Sequence, residues 1–322
     1  MEGIDGDRIK VWLLGLVGAI GLALSGCGAV TNPQGGPRET KPRVVATSTL
    51  IADWAGRIGG DSIELTGLLH AGADPHVYEP VPADTIALER ANLILYNGYN
   101  LEPGLIRLMN ATGGKARRVA LGEVVPALTS HHATATVPDP HVWGDVNNVV
   151  PMVQKLRDEL IALVPDQRGA FTKRANTYIH ELNQVDHWIG DQTATIPSSR
   201  RYLVTTHDAF QYYAKAYGLQ VVGTLIGIST EEQPSARTMQ YLVESIRSVG
   251  VPAIFAETTL NPNLITTVAT EAGVRLAPTP LYSDSIGAVG SPGDTYLKMM
   301  TANTRAIVEN LGGQVKPLSL QD

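Results

Sequence analysis

One order of elements occurs twice along this chain. Residues 43–50, RVVATSTL, form a short β-branched run that enters the amphipathic stretch IADWAGRIGG, which glycines stop. IELTGLL (63–69) reads as a second strand, PVPADTIALERA (80–91) as a helix and NLILYNG (92–98) as a buried strand. After residue 200 the order returns, with RYLVTTHD (201–208) entering the helix AFQYYAKAYG and LQVVGTLIG (219–227) as the next strand. A helix within ISTEEQPSARTMQYLVESIRSVG and the strand VPAIFAET (251–258) close the second unit. Strand–helix alternation of this kind requires a parallel sheet with helices on both faces. Laying Val45–Ser48 on Val204–His207 also aligns Ala55 with Ala214 and Gly59 with Gly218. The expected fold is therefore α/β, with two similar parallel-sheet lobes.

The stretch between the units bounds their geometry. PDQRGAFTKRANTYIHELNQVDHWIGDQT begins at Pro165, has no internal proline, and places Phe171, Tyr178, Leu182, Val185 and Ile189 near helical spacing. At ~1.5 Å per residue such a helix is about 40 Å long, a rigid strut that opposes wide hinge closure. The expected domains are an N-terminal lobe at 44–164, a backbone helix at 165–195 and a C-terminal lobe at 196–322, with a cleft between the lobes.

The first 43 residues read differently. VWLLGLVGAIGLALSG (11–26) is an apolar run shorter than the ~20 residues of a membrane-spanning helix, so it is expected to be a signal peptide over 1–26. It closes on Leu24-Ser25-Gly26-Cys27, which resembles the bacterial lipobox, where the cysteine thiol is acylated. Residues 27–43 then form a polar Gly/Pro tether. Cys27 is the sole cysteine, so no intramolecular disulfide can form. The expected product is a protein anchored by lipidated Cys27 to the outer face of a bacterial cell membrane. A net charge of −6 gives no sign of nucleic-acid binding.

Asp-Pro-His occurs twice, in ADPHVYEP (73–80) and PDPHVWGD (138–145). Proline fixes φ and restricts the residue before it, so each histidine leaves its loop in a set direction. His76 follows the second strand of the first unit, His141 precedes the helix VNNVVPMVQKLRDELIALV, and His207 ends the first strand of the second unit. Ligands of α/β sheets bind outside the carboxyl ends of strands, so the three imidazoles are expected to meet in the cleft. Asp284, in TPLYSDSIG, is a fourth candidate. Asp74, Asp139 and Asp208 stand beside these histidines as candidates to bond loop amides or orient the rings. His180 and His187 belong to a helix face, His70 to a solvated strand end, and His131-His132 to a loop able to capture metal weakly.

ADPHVYEP, DPHVW, VTTHDAF, STEEQPSA, AIFAET and LYSDSIG together resemble the TroA-like and ZnuA-like solute-binding lipoproteins of metal-specific ABC transporters, in that family's order from Val44 onward. The resemblance implies two lobes joined by a long helix, with one metal held by His76, His141, His207 and Asp284. It further implies a monomer that passes its ion to a membrane permease driven by a cytoplasmic ATPase. Glu232 and Glu257 have family counterparts, read as structural or interface positions. Three imidazoles and a carboxylate suit Zn2+ better than Mn2+, which prefers more oxygen donors. Three rival readings remain, one of them a surface adhesin or structural lipoprotein whose metal only stabilises the fold. A binding protein for a larger solute such as a siderophore calls for a cleft of aromatics and arginines. A zinc enzyme calls for an open coordination position and a general base, and no HExxH or glycine-rich phosphate loop appears.

Overall fold

The computed structural model describes residues 41–112, 114–132 and 135–321. The expected signal peptide, most of the tether and Cys27 lie outside the described residues. Within them, no helix is long and apolar enough to cross a membrane.

The first unit runs β1 (Arg43–Ala46), α1 (Thr49–Gly59), β2 (Glu64–Gly67), α2 (Pro82–Arg90), β3 (Leu93–Tyr96), α3 (Pro103–Ala111) and β4 (Arg117–Ala120). Its four strands are all parallel, in the order β2-β1-β3-β4. The central strands are buried apolar runs, as a sheet covered on both faces requires. An antiparallel hairpin follows, β5 (Thr129–His132) with β6 (Ala135–Pro138), and then α4 (Val146–Leu163).

Helix α5, Arg168–Ala194, has 27 residues and is preceded by a 3-10 turn at Pro165–Gln167. Phe171, Ala175, Tyr178, Leu182, Val185 and Ile189 recur at three- and four-residue steps and are all buried. That stripe joins the main hydrophobic cluster, which also holds Val44 and Trp54 beside the first sheet and Phe255, Leu281 and Ile307 beside the second.

The second unit runs β7 (Tyr202–His207), α6 (Gln211–Ala216), β8 (Gln220–Ile226), α7 (Ala236–Val249), β9 (Ala253–Ile254), α8 (Asn263–Ala272), β10 (Arg275–Leu276) and α9 (Tyr296–Asn310). β7 pairs in parallel with β8, and β10 with β9. The Phe255 amide donates to Val204 O at 3.0 Å, which sets the β9 segment beside β7. The neighbours thus follow β8-β7-β9-β10, the order of the first sheet. In both, the strand entered first lies inside the sheet, where successive connections diverge and leave a crevice at the carboxyl ends.

Candidate metal centre

His76 sits in the loop after β2. Asp74 Oδ1 accepts the His76 amide at 2.9 Å, closing a turn around Pro75 that fixes where the imidazole points. His141 lies between β6 and α4. Asp139 Oδ1 is 3.0 Å from its amide and 2.8 Å from its Nδ1, so one carboxylate oxygen sets both backbone and ring. His207 is the last residue of β7, and Asp284 lies in the loop between β10 and α9.

The four residues meet. One donor atom from each of His76, His141, His207 and Asp284 lies within 4.8 Å of the others. The His76 and His141 Nε2 atoms are 3.3 Å apart. Asp284 Oδ1 lies 3.3 Å from His141 Nε2, and its Oδ2 3.1 Å from His207 Nε2. All four side chains are 0–2% exposed. Neither Asp284 oxygen nor His207 Nε2 has a hydrogen-bond partner among the described residues. Buried polar atoms left in this condition are costly unless something else satisfies them.

Electrostatics separate the histidines. Burial lowers the His76 pKa to about 3, so this ring is neutral near pH 7. Burial also opposes charge on His141, but Asp139 and Asp284 outweigh it and raise its pKa to about 9. For His207, burial is again outweighed, by Glu257 and Asp284, and the pKa stands well above the ordinary imidazole value. Burial acts to raise the Asp284 pKa, yet His207 and His141 hold it well below the usual carboxylate range.

Glu257 has a role at the site that the sequence reading did not give it. Its Oε1 accepts the His207 amide at 2.8 Å and its Oε2 lies 2.5 Å from His207 Nδ1. It therefore holds His207 through the amide bond and a close charge at Nδ1, whereas Asp139 is hydrogen-bonded to both the amide and Nδ1 of His141. The expectation for Asp208 is corrected, because that carboxylate accepts from Gln211 Nε2 at 2.8 Å instead. The legible signal was a carboxylate ending the apolar run VPAIFA, at the carboxyl end of the strand beside β7.

The other histidines stand apart from this group. His70, His180 and His187 are exposed, His187 with Nδ1 2.7 Å from Asn183 O. His131 and His132 are in β5, and their side chains lie outside the description. A cavity of ≈ 250 Å³ borders His76, lined also by Tyr99, Asn100, Ser229 and Glu232. Beside it, Thr230 Oγ1 donates to Asp74 Oδ2 at 2.7 Å, tying the β8–α7 loop to the His76 loop. A larger cavity, ≈ 590 Å³, lies between α9 and the C-terminal segment, and none of the four residues lines it.

Comparison with known proteins bears on these features together. The profile of the family described as zinc-uptake complex component A, periplasmic (ZnuA), matches residues 44–310. The manganese-binding lipoprotein MntA of Halalkalibacterium halodurans is 32% identical over 302 residues, covering 94% of this chain and 99% of that protein. The metal ABC transporter substrate-binding lipoprotein SsaB of Streptococcus sanguinis is 30% identical over 306 residues, 92% of this chain and 98% of its own. The solved periplasmic zinc-binding protein TroA of Treponema pallidum superposes with a TM-score of 0.80 at 34% identity, covering 84% of this chain and 99% of the other. A shared fold, coverage of nearly the whole folded part and substantial identity coincide, and the chain belongs to the ZnuA family of metal-uptake components.

Proposed function

We propose that this protein is an extracytoplasmic solute-binding lipoprotein that captures one divalent transition-metal ion and delivers it to an ABC permease for import. The observation that carries the reading is the convergence of His76, His141, His207 and Asp284, all buried, with one donor atom of each within 4.8 Å of the others and those of His207 and Asp284 lacking a hydrogen-bond partner among the described residues. In this reading the four side chains are the ligands, three through Nε2 and one through a carboxylate oxygen. They come from the loops of two lobes, 44–164 and 196–322, with the backbone helix at 165–195 limiting how far the lobes can part. The relatives MntA and SsaB, both named lipoproteins, support lipid attachment at Cys27, and SsaB, named an ABC transporter substrate-binding lipoprotein, supports transfer to a permease.

Zinc is the favoured ion. Zn–N bonds of about 2.0–2.1 Å around a tetrahedron put donors roughly 3.3 Å apart; the His76–His141, His141–Asp284 and His207–Asp284 separations are 3.1–3.3 Å, within a set that spans up to 4.8 Å. One observation favours manganese as a second reading. The two Asp284 oxygens face different imidazoles, a pose that permits bidentate binding and the higher oxygen count Mn2+ prefers. The cavity beside His76, ≈ 250 Å³, falls short of the roughly 300–1,000 Å³ typical of organic-ligand sites, which argues against a siderophore.

Competitive titration of metal-stripped protein with Zn2+ and Mn2+, with stoichiometry from native mass spectrometry, tests the reading. One tightly held zinc is expected. His76→Ala or His207→Ala should lose most affinity while remaining folded, and His180→Ala should bind as the parent does. Unchanged affinity in both cleft variants would overturn the ligand assignment.

A further inference from the structure

The loop that presents Asp284 follows β10, a strand of the second sheet, yet much of its polar bonding reaches the first unit. Thr49, the first residue of α1, places Oγ1 3.0 Å from Ser285 Oγ and accepts the Ile286 amide at 3.1 Å. The Gly72 amide, four residues before His76, donates to Ser285 Oγ at 2.8 Å. Gly72 has φ of +80°, a conformation that favours glycine and aims its N–H at this hydroxyl. On the other side of Asp284, Trp143 Nε1 donates to Ser283 O at 3.0 Å. One turn further along α1, Asp53 Oδ2 accepts the Tyr296 amide at 3.0 Å, seating the start of α9 as well.

From this bonding we infer that Ser285 and Thr49 are positioning residues for metal capture, because their paired hydroxyls hold Asp284 against the histidine loops of the first unit. The inference rests on the metal-binding reading above. Thr49 is 5% exposed and Ser285 1%, so water does not readily replace a lost bond between them. Asp284 follows Ser283 and precedes Ser285, so bonds at both neighbours limit the swing of its carboxylate. The loop of Gly72 continues to His76, and Trp143 is two residues from His141. The brace therefore sets the distance from Asp284 to two imidazoles of the first unit directly, while His207 is set by Glu257.

The test uses Ser285→Ala, Thr49→Val, their double variant and Thr49→Ser as the conservative control. Zn2+-loaded protein is mixed with excess chelator and the release rate is followed. The visible spectrum of the Co2+ form reports ligand geometry, which a mere loss of stability would leave unaltered in folded protein. Release is expected to quicken about fivefold to tenfold in each single variant, as for one buried hydrogen bond. The double variant should release more slowly than the product of the two effects predicts, because both remove the same contact. The Co2+ spectrum should shift in Ser285→Ala and stay near the parent in Thr49→Ser. Parental release rates in both single variants, or independent multiplicative effects in the double, would overturn the brace. Failure of the parent protein to bind one ion would instead overturn the underlying metal-binding reading.

Discussion

Glu257 and Asp139 each set a carboxylate against one histidine, and their charges decide how the site titrates. With both carboxylates and Asp284 nearby, the pKa of His141 rises to about 9 and that of His207 stands well above its ordinary value, so both hold protons near pH 7 when no ion is bound. His76, lowered to about 3, holds none. Ion binding through Nε2 must displace the two protons, so affinity should rise with pH, by up to two decades per pH unit below about 9, where His141 loses its proton, and less steeply above it. Calorimetry at pH 7 in buffers of different ionisation enthalpy should count about two protons released per ion; a count near zero would mean that the rings are already neutral. Glu257→Gln removes the charge that orients His207 and should weaken binding about 10–100-fold, the usual cost of losing such a partner. Equal affinity in a competition titration would show that His207 is held by its strand alone. The four histidine and aspartate positions were legible because proline-fixed loops and strand ends are local features. Glu257 was harder to read, since its meaning depends on β9 lying beside β7, a contact between residues fifty apart.

At the scale of elements, the loop from β8 to α7 is tied to the His76 loop through Thr230 and Asp74. It also borders, through Ser229 and Glu232, the cavity that His76 lines. A hydroxyl bonded to a carboxylate contributes roughly 1.5–3 kcal/mol, enough to slow an opening movement about tenfold or more. Thr230→Val should therefore raise the rates of metal loading and release together in stopped-flow measurements and change the equilibrium affinity much less. A change in release alone would place the moving part elsewhere. The elements legible in advance were those with strong periodicity: β1, α1, β3, β7 and the stripe of α5. β9 falls within VPAIFAET, which the sequence reads as a strand, whereas β10 has two residues and β4 reads RRVA with its first arginine exposed, so neither of these last two carries a periodic signal. They are strands because neighbours supply their hydrogen bonds, which no short window of sequence can display.

For the molecule as a whole, the decisive fact is that one hydrophobic cluster runs from the first sheet across α5 to the second. Wide separation of the two units would have to break it, so loading and release should proceed through loop movements of limited size. Trp54 sits within that cluster, fully buried, with its ring edge-on to Tyr296 at 5.4 Å between centroids. Trp54→Ala should destabilise the fold by about 3–5 kcal/mol, read from the midpoint of denaturant unfolding, because a cavity opens where surrounding groups cannot collapse. Trp143 has a different consequence. Its indole lies 5.4 Å from the His141 ring and its N–H is bonded to the carbonyl next to Asp284. The chain thereby carries its own optical reporter: ultraviolet fluorescence should change as the ion arrives, lose most of that response in Trp143→Phe, and allow uptake and discharge to be watched in real time without a dye.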